Sequence, residues 1–144
     1  MKVLVLNGPN LGRLGTRQPE IYGSTTLGEL EEMLRARGKE LGCEIECVQS
    51  DDAAELIGAL GKTDADAVIL NPAALTHYSN DLREAVAAYK GPVFEVHITN
   101  IYAREPYRRH SLISPVARGS IIGLGIHGYL LALEAAVEGR HERA

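Results

Sequence analysis

The stretch VLVLNGPNLGRLGTRQPEIYG, residues 3–23, passes from an apolar run directly into a loop rich in glycine. Four aliphatic residues in a row, without polar alternation, predict a first strand that is buried on both faces. Loops of this kind often bind phosphate, but this one also carries Arg13 and Arg17 and ends near Tyr22. It therefore suggests either an anion-binding turn or a site of acid–base chemistry.

Four more strand-like runs follow along the chain: EIECVQS at 44–50, AVIL at 67–70, VFEV at 93–96 and SIIGL at 120–124. Helical patterns separate these runs. Thr26 with Glu29, and Asp52 with Glu55, have the spacing of a capping box, and Ser79 precedes NDLREAVAAY. A last helix is expected over 127–138. Strands that alternate with helices predict an α/β fold, a flavodoxin-like five-stranded parallel sheet with helices on both faces.

Composition sets the broad class of the protein. The chain has 144 residues and a formal charge of −4, which suits one globular domain over residues 1–144 and gives no basic field for nucleic acid. No apolar run approaches the roughly 20 residues of a membrane span. The first ten residues are typical of a strand rather than a signal peptide, so we expect a cytoplasmic protein with no membrane partner. The last six residues, GRHERA, suggest a frayed polar tail.

The two cysteines do not suggest a cross-link. Cys43 and Cys47 lie in CEIEC, and on a strand they would be about 13 Å apart at roughly 3.3 Å per residue. A disulfide needs Cα atoms within about 7 Å. We therefore expect two structural thiols, and no CxxC metal pattern is present.

Polar residues collect just after the strands, where ligands bind in open parallel sheets. The first strand is followed by Asn7, Asn10, Arg13, Arg17 and Tyr22, the third by Asn71, Thr76 and His77, and the fourth brings Glu95, His97, Thr99, Asn100, Arg104, Arg108 and Arg109. A solvated loop face would more usually contain Lys, Glu and Ser. The carboxyl edge of the sheet is therefore the predicted functional site.

Phosphate-binding motifs do not fit this edge. No Lys-Ser or Lys-Thr pair follows the glycines of the first loop, so the P-loop pattern fails. A GxGxxG pattern occurs at Gly123, Gly125 and Gly128, but the acidic ribose partner would lie beyond the last residue. We interpret these glycines as close packing of the last helix on the sheet. A nucleotide-binding module of the same fold remains the alternative from a non-enzymatic class.

Metal and nucleophile chemistry fit no better. Glu95 and His97 point to one side of a strand and His77 could join them, but no motif completes a set of ligands, so a metal-dependent hydrolase is a second alternative. Asp51 and Asp52 resemble helix caps rather than the phosphoacceptor of a receiver domain. Ser120 lacks the GxSxG context of a serine nucleophile.

Proton-transfer chemistry suits the edge best. A tyrosine is a poor base at its ordinary pKa of about 10, but a nearby cation lowers that pKa, and Arg17 is in the same loop as Tyr22. Such a tyrosinate can remove a proton next to a carbonyl, and Asn10 could hold the enolate. His97, oriented by Glu95, could protonate a departing hydroxyl. Arg108 and His77 are suited to holding an anionic, hydroxylated substrate.

Four blocks of the chain resemble the type II 3-dehydroquinate dehydratases (type II dehydroquinases). They are NGPNLGRLGTRQPEIYG, ILNPAALTHYSNDLREA, FEVHITNIYAREPYRRHS and GLGIHGYLLAL, in the order and spacing of that family. The resemblance implies anti elimination of water from 3-dehydroquinate through an enolate, without metal, cofactor or Schiff base. The reaction would belong to the shikimate pathway of aromatic amino acid biosynthesis or to quinate catabolism. The resemblance also implies a homo-oligomer, a dodecamer built from trimers.

By the same resemblance, residues take roles by motif. Tyr22 would be the base, and Arg17 in the lid (residues 12–23) would lower its pKa with help from Arg104. Asn10 would place a water at the enolate. His97, with Glu95, would be the acid. Substrate hydroxyls would be held by Asn71, His77 and Arg108, and the carboxylate by Ile98 and Thr99. Glu84 stands where the family commonly has an Asp that reaches a neighbouring subunit.

The chain also departs from the family pattern. Gln18 replaces the usual glutamate of the lid, and Thr99 replaces a serine but keeps its hydroxyl. Alanines stand at 73 and 74 where glycines are common, and Pro106 replaces a glutamate. These changes bear on lid movement and affinity more than on the chemistry.

Overall fold

The five predicted strands form one parallel sheet in the computed structural model, which describes residues 1–139. They are Lys2–Asn7 (β1), Glu44–Gln49 (β2), Ala67–Asn71 (β3), Val93–His97 (β4) and Gly119–Ile122 (β5). Their order across the sheet is β2-β1-β3-β4-β5, and each neighbouring pair is parallel. This order confirms the predicted flavodoxin-like sheet. It also places the carboxyl ends of β1, β3 and β4 side by side.

Helices cover both faces of the sheet, as predicted. They are Pro19–Tyr22 (α1), Leu27–Glu40 (α2), Ala53–Lys62 (α3), Asn80–Ala88 (α4) and His127–Gly139 (α5). Short 3₁₀ turns occupy Leu11–Arg13, Ala73–His77, Ile101–Ala103, Pro106–Arg108 and Ser114–Val116. All five turns lie in the connections that follow β1, β3 and β4, so the functional edge is built from compact loops.

Alternate residues of β1 enter two separate cores. Val3 and Val5 pack with α2 and α5, whereas Leu4 and Leu6 pack with α3 and α4. All four side chains are fully buried, which matches a continuous aliphatic run in a doubly covered strand. Burial of each such side chain stabilises the fold by about 1.5–3 kcal/mol.

Burial on both faces holds for the inner strands but not for the two at the edges. Every residue of β3 is buried, while β2 and β5 are mostly half-buried or exposed. An edge strand has one neighbour instead of two and less helix above it, so an apolar run there was not a guide to full burial. Gly123 has a φ of 88° and ends β5 at Ile122, two residues earlier than the apolar run suggested.

The helix starts largely follow the predicted caps. Thr26 and Glu29 form the reciprocal capping box of α2, with bonds of 3.1 Å and 2.9 Å between each side chain and the other's backbone N–H. Asp52 caps α3 by accepting a bond from the amide of Ala54, but Glu55 does not complete a box. Ser79 caps α4 through the amide of Leu82 at 3.1 Å.

The cysteines, the polar tail and the membrane-span expectation can also be compared with the structure. Cys43 and Cys47 form no disulfide in the described chain, and Cys43 lies just before β2 rather than on it. The predicted polar tail falls outside the described residues except for Gly139, the last residue of α5. No helix within residues 1–139 combines the length and the apolar composition that crossing a membrane requires.

Candidate active site

A cavity opens at the carboxyl ends of β1, β3 and β4, as the topology predicts. The predicted site residues that line it are Asn10, Arg17, Tyr22, Asn71, His77, His97, Ile98, Thr99, Arg104 and Arg108. Apolar neighbours complete the wall: Leu11, Leu14 and Ile101, with the methyl groups of Ala73 and Ala74. Residues from the three connections after β1, β3 and β4 therefore meet in one site that has polar and cationic groups on an apolar floor.

Tyr22 lies beneath two cations. Arg104 Nη1 donates a hydrogen bond to the Tyr22 hydroxyl at 3.0 Å, and the guanidinium carbon of Arg17 is 5.2 Å from the ring centroid. Partial burial favours the neutral phenol, but the guanidinium groups of Arg104 and Arg17 outweigh burial and lower the pKa of Tyr22. The phenol in this cavity is therefore more acidic than a free tyrosine. Arg17 lies over the Tyr22 ring, and Arg104 adds the direct hydrogen bond.

The lid holds Tyr22 at the end of the single-turn helix α1. Pro19 is the first helical residue, where its fixed φ and missing N–H are favourable. Gln18 just before it has a φ of 43°, and Gly23 just after Tyr22 has a φ of 87°. The sequence indicated only a loop here. No residue of α1 is fully buried, and Tyr22, which is half-buried, is the residue of this helix that packs against the core.

His97 and Glu95 form a buried pair on β4. His97 Nε2 lies 2.6 Å from Glu95 Oε2, and the Glu95 side chain has no exposed surface. Burial raises the pKa of Glu95, but hydrogen bonds from His97, Ser114 and Thr76 outweigh burial and bring it to about 2. Glu95 is therefore ionised and accepts the Nε2 proton. Nδ1 is left as the ring nitrogen of His97 that can serve the cavity.

Asn10 turns the chain into the lid in a left-handed conformation, with a φ of 71°. Asparagine tolerates this conformation better than most residues. Its amide N–H donates to Asp51 Oδ1 at 2.9 Å, and its Oδ1 accepts from Arg13 Nη2 at 2.5 Å. Asp51 thus anchors the turn. The sequence had suggested that Asp51 is a helix cap, but Asp52 alone caps α3. The side-chain Nδ2 of Asn10 remains available to a ligand or a water.

Asn71 is held from behind by a buried tyrosine. Its Nδ2 donates to the Tyr129 hydroxyl at 2.8 Å, and that hydroxyl donates to Asn7 Oδ1 at 2.6 Å. Asn71 Oδ1 accepts the amide of Ala73 at 3.0 Å. Sequence reasoning missed Tyr129, although a tyrosine within the apolar last helix needs a partner for its hydroxyl. The chain Asn71–Tyr129–Asn7 fixes the Asn71 amide at the rim of the cavity.

His77 and Arg108 face the cavity from the outer loops. His77 Nδ1 lies 2.7 Å from the carbonyl of His110, which can only accept, so Nδ1 carries the proton and Nε2 is the free acceptor. Arg108 Nε donates to Glu105 Oε2 at 2.7 Å, and its guanidinium packs over Tyr107. Both side chains are therefore oriented by the protein before any substrate arrives.

Glu84 is the one predicted site residue that neither lines the cavity nor, like Glu95, forms a hydrogen bond with a residue that does. It is exposed on α4 and pairs with Arg83 Nη1 at 2.9 Å. Its predicted contact with a neighbouring subunit stays a prediction, because the structure describes one chain. Any contact with substrate would have to occur in a neighbouring copy.

The structure bears on both alternatives raised by the sequence, the GxGxxG pattern and the metal site. Gly128 lies in the first turn of α5, where an added Cβ would be 3.3 Å from Ile121 and 3.4 Å from Val96, which agrees with close helix packing. Gly123 and Gly125 have φ values of 88° and 62° and turn the chain between β5 and α5. No group of three or more His, Cys, Asp or Glu side chains in residues 1–139 is arranged to hold a metal ion.

Comparisons with known proteins agree on one family. The family model described as dehydroquinase class II matches residues 1–137. The 3-dehydroquinate dehydratase of Pelotomaculum thermopropionicum is 54% identical over 138 residues, 94% of this chain and 96% of the relative. That of Salinispora arenicola is 56% identical over 136 residues, 92% and 94% of the two chains. The crystal structure of the type II dehydroquinase from Propionibacterium acnes superposes with a TM-score of 0.90 at 44% identity and covers 95% of this chain and 96% of that one. The chain belongs to the class II dehydroquinase family.

Proposed function

We propose that this protein is a hydro-lyase that eliminates water from 3-dehydroquinate to give 3-dehydroshikimate. Family membership supports the reaction, and one observation of the site carries the mechanism. A tyrosine with a lowered pKa and a histidine paired with a buried carboxylate line the same cavity. These are the base and the acid that an elimination through an enolate requires.

Tyr22 is the base in this proposal. As a phenolate it removes the proton from the carbon next to the substrate ketone, and the electron pair moves onto the ketone oxygen. Arg104 and Arg17 lower the pKa of Tyr22 and so favour that phenolate. Asn10 supports the enolate with its side-chain amide, directly or through a water, because an amide N–H donates to developing negative charge.

His97 is the acid. Nε2 is engaged by Glu95, so the proton for the departing hydroxyl comes from Nδ1. Collapse of the enolate expels the hydroxyl, which leaves as water. After one turnover Tyr22 has gained a proton and His97 has lost one, so a net transfer from Tyr22 to His97 by way of solvent restores the starting state.

The remaining polar groups bind the substrate in this proposal. Asn71, His77 and Arg108 hold its hydroxyls, supported by the fixed orientations of their side chains. The backbone of Ile98 and Thr99, with the Thr99 hydroxyl, receives the carboxylate. Arg104 Nη1 is 3.4 Å from that hydroxyl and adds positive charge to the carboxylate end.

The proposal extends to the assembly and setting of the enzyme. The exposed position of Glu84 on α4 is compatible with a contact across a trimer of a dodecameric homo-oligomer. Light scattering after size exclusion tests the assembly. We place the enzyme in the cytoplasm and assign it no cofactor, nucleic-acid or membrane partner. Its product would serve aromatic amino acid biosynthesis through the shikimate pathway, and quinate catabolism is the other use of the same step.

One assay tests the reaction. Purified protein and 3-dehydroquinate are mixed with excess chelator, and the ultraviolet absorbance of the conjugated product is followed. We expect turnover at the same rate with and without chelator, and no loss of activity after borohydride is added with substrate. Absence of turnover would reject the proposal, and turnover abolished by chelator would favour the metal-dependent alternative.

A further inference from the structure

Glu95 is surrounded by hydroxyl groups that the proposed mechanism does not use. Besides His97, four side chains place a hydroxyl within hydrogen-bond distance of its carboxylate: Thr76, Ser111, Ser114 and Ser120. They come from the turn after β3, the loop before β5 and β5 itself. We propose that these four residues form a hydroxyl cage that keeps Glu95 ionised and fixed, and so act as positioning residues for the acid His97.

The cage serves the two oxygens of Glu95 differently. Oε2 faces His97 and also receives Thr76 at 2.6 Å and Ser111 at 2.8 Å. Oε1 receives Ser114 and, at 3.1 Å, Ser120. Ser120 reaches it because Glu95 and Ser120 are neighbours in the β4–β5 register. Both oxygens are thus saturated with donors, which fixes the carboxylate plane and with it the imidazole ring.

A count of protons gives the charge of the cluster. Ser111 Oγ accepts the amides of Ile113 at 3.1 Å and Ser114 at 3.0 Å, so its own proton must be donated. Thr76 and Ser111 also lie 2.7 Å apart, and Ser114 and Ser120 3.0 Å apart, yet each hydroxyl carries only one proton. Glu95 is the group of the cluster that accepts without donating. With Glu95 as a carboxylate and His97 Nε2 as a donor, the four hydroxyl protons and the Nε2 proton suffice for the five contacts with the carboxylate.

The charge state matters for the acid. Burying a carboxylate is costly, and a single cationic partner often does not offset the lost hydration. If the Nε2 proton moved to Glu95, both partners would be uncharged, and a neutral imidazole is a weaker proton donor at Nδ1 than an imidazolium. Among the described side chains that form hydrogen bonds with Glu95, His97 is the one titratable group. The hydroxyls supply the rest of the stabilisation that keeps the pair ionic.

The test removes hydroxyls singly and together. Thr76→Val and Ser114→Ala each delete one donor, and Thr76→Ser keeps it. Thr63→Val is the matched control, because its hydroxyl accepts one amide bond at 3.0 Å near the opposite edge of the sheet. We expect kcat to fall roughly tenfold in each single variant and further in the double variant, with KM within about twofold. Thr76→Ser and Thr63→Val should retain kcat within about twofold.

A second measurement separates positioning from folding. The ¹³C signal of the Glu95 carboxyl is titrated in labelled protein, and its pKa should rise from about 2 in the double variant and stay in place in Thr63→Val. Rescue by Thr76→Ser together with this rise supports the cage. An unmoved Glu95 pKa, or equal loss of kcat in Thr63→Val, would overturn it. If Thr76→Val does not fold, Ser114→Ala decides by the same criteria.

The inference rests on the proposed dehydratase function only for its kinetic part. Wild-type protein that lacks turnover would reject that function. The carboxyl titration would still decide whether the hydroxyls hold Glu95 ionised.

Discussion

The hydroxyl of Tyr129 offers a sharp test of how the site is built. It is the middle of a buried chain in which Asn71 Nδ2 donates to it at 2.8 Å and it donates to Asn7 Oδ1 at 2.6 Å. Tyr129→Phe removes one oxygen and leaves both amide groups behind. Asn7 Nδ2 already lacks a partner within the described chain, so in the variant neither polar atom of that side chain would be satisfied.

The expected loss of stability follows from those two orphaned groups. Each buried, unsatisfied polar group costs about 1–3 kcal/mol. Asn71 lines the cavity and can be reached by water, which places its cost at the low end, so we expect a total loss of about 2–4 kcal/mol. For a domain of this size that corresponds to a fall in Tm of roughly 10 °C. KM should also rise several-fold, because Asn71 is no longer held in place.

Tyr89→Phe is the matched control. The Tyr89 hydroxyl donates a single bond of 2.5 Å to the carbonyl of Ala65, at a half-buried position far from the cavity. We expect it to cost about 1 kcal/mol and to leave KM unchanged. Urea unfolding followed by circular dichroism, with steady-state kinetics, measures both variants. A free energy of unfolding for Tyr129→Phe no lower than that of Tyr89→Phe would refute the reasoning.

Three further predictions concern the acid and the base. Tyr22→Phe should lower kcat by about 10²–10⁴-fold in the absorbance assay while KM changes little, and turnover near that of wild type would rule Tyr22 out as the base. Arg104→Ala should raise the pKa of Tyr22 and move the rising limb of the pH–rate profile to higher pH, because the phenolate is the active form. Arg17→Ala should move that limb in the same direction but less, since Arg104 makes the direct bond. An unmoved limb in both would count against the coupling. The pKa of Glu95 is depressed from 4.5 to about 2, so its contribution to stability is complete above pH 4.5 and is lost as the pH falls towards 2, by about 3 kcal/mol. Urea unfolding at several pH values should show that loss in wild type and not in Glu95→Gln, and parallel curves would contradict it.

The sheet and the edge that carries the site could be predicted because both depend on local patterns. Aliphatic runs and helix caps are properties of neighbouring residues, and parallel topology brings all strand ends to one edge. Tyr22, His97 and Glu95 could therefore be assigned to one site before any distance was known.

The residues that were missed act across the fold. Tyr129 meets Asn71 from 58 positions away, and Ser120 meets Glu95 only through the β4–β5 register. Nothing near either residue in the sequence marks it as a partner. Asp51 was assigned to the wrong task because two adjacent aspartates before a helix both resemble caps, and only the packing of the Asn10 turn separates them.

The lid helix α1 has a thermodynamic consequence for the timing of the reaction. Tyr22 lies on an element without buried residues, whereas the bond that lowers its pKa comes from Arg104 in another loop. A lid that lifts would take Tyr22 away from Arg104 but not from Arg17, so the pKa of Tyr22 would rise towards its ordinary value. Linkage is reciprocal, so loss of the Tyr22 proton must favour the closed lid as much as closure favours that loss, and amide exchange at Gly23 against pH would report it. A closed lid thus favours the phenolate form of Tyr22, and an open lid would leave a tyrosine with a pKa nearer its ordinary value.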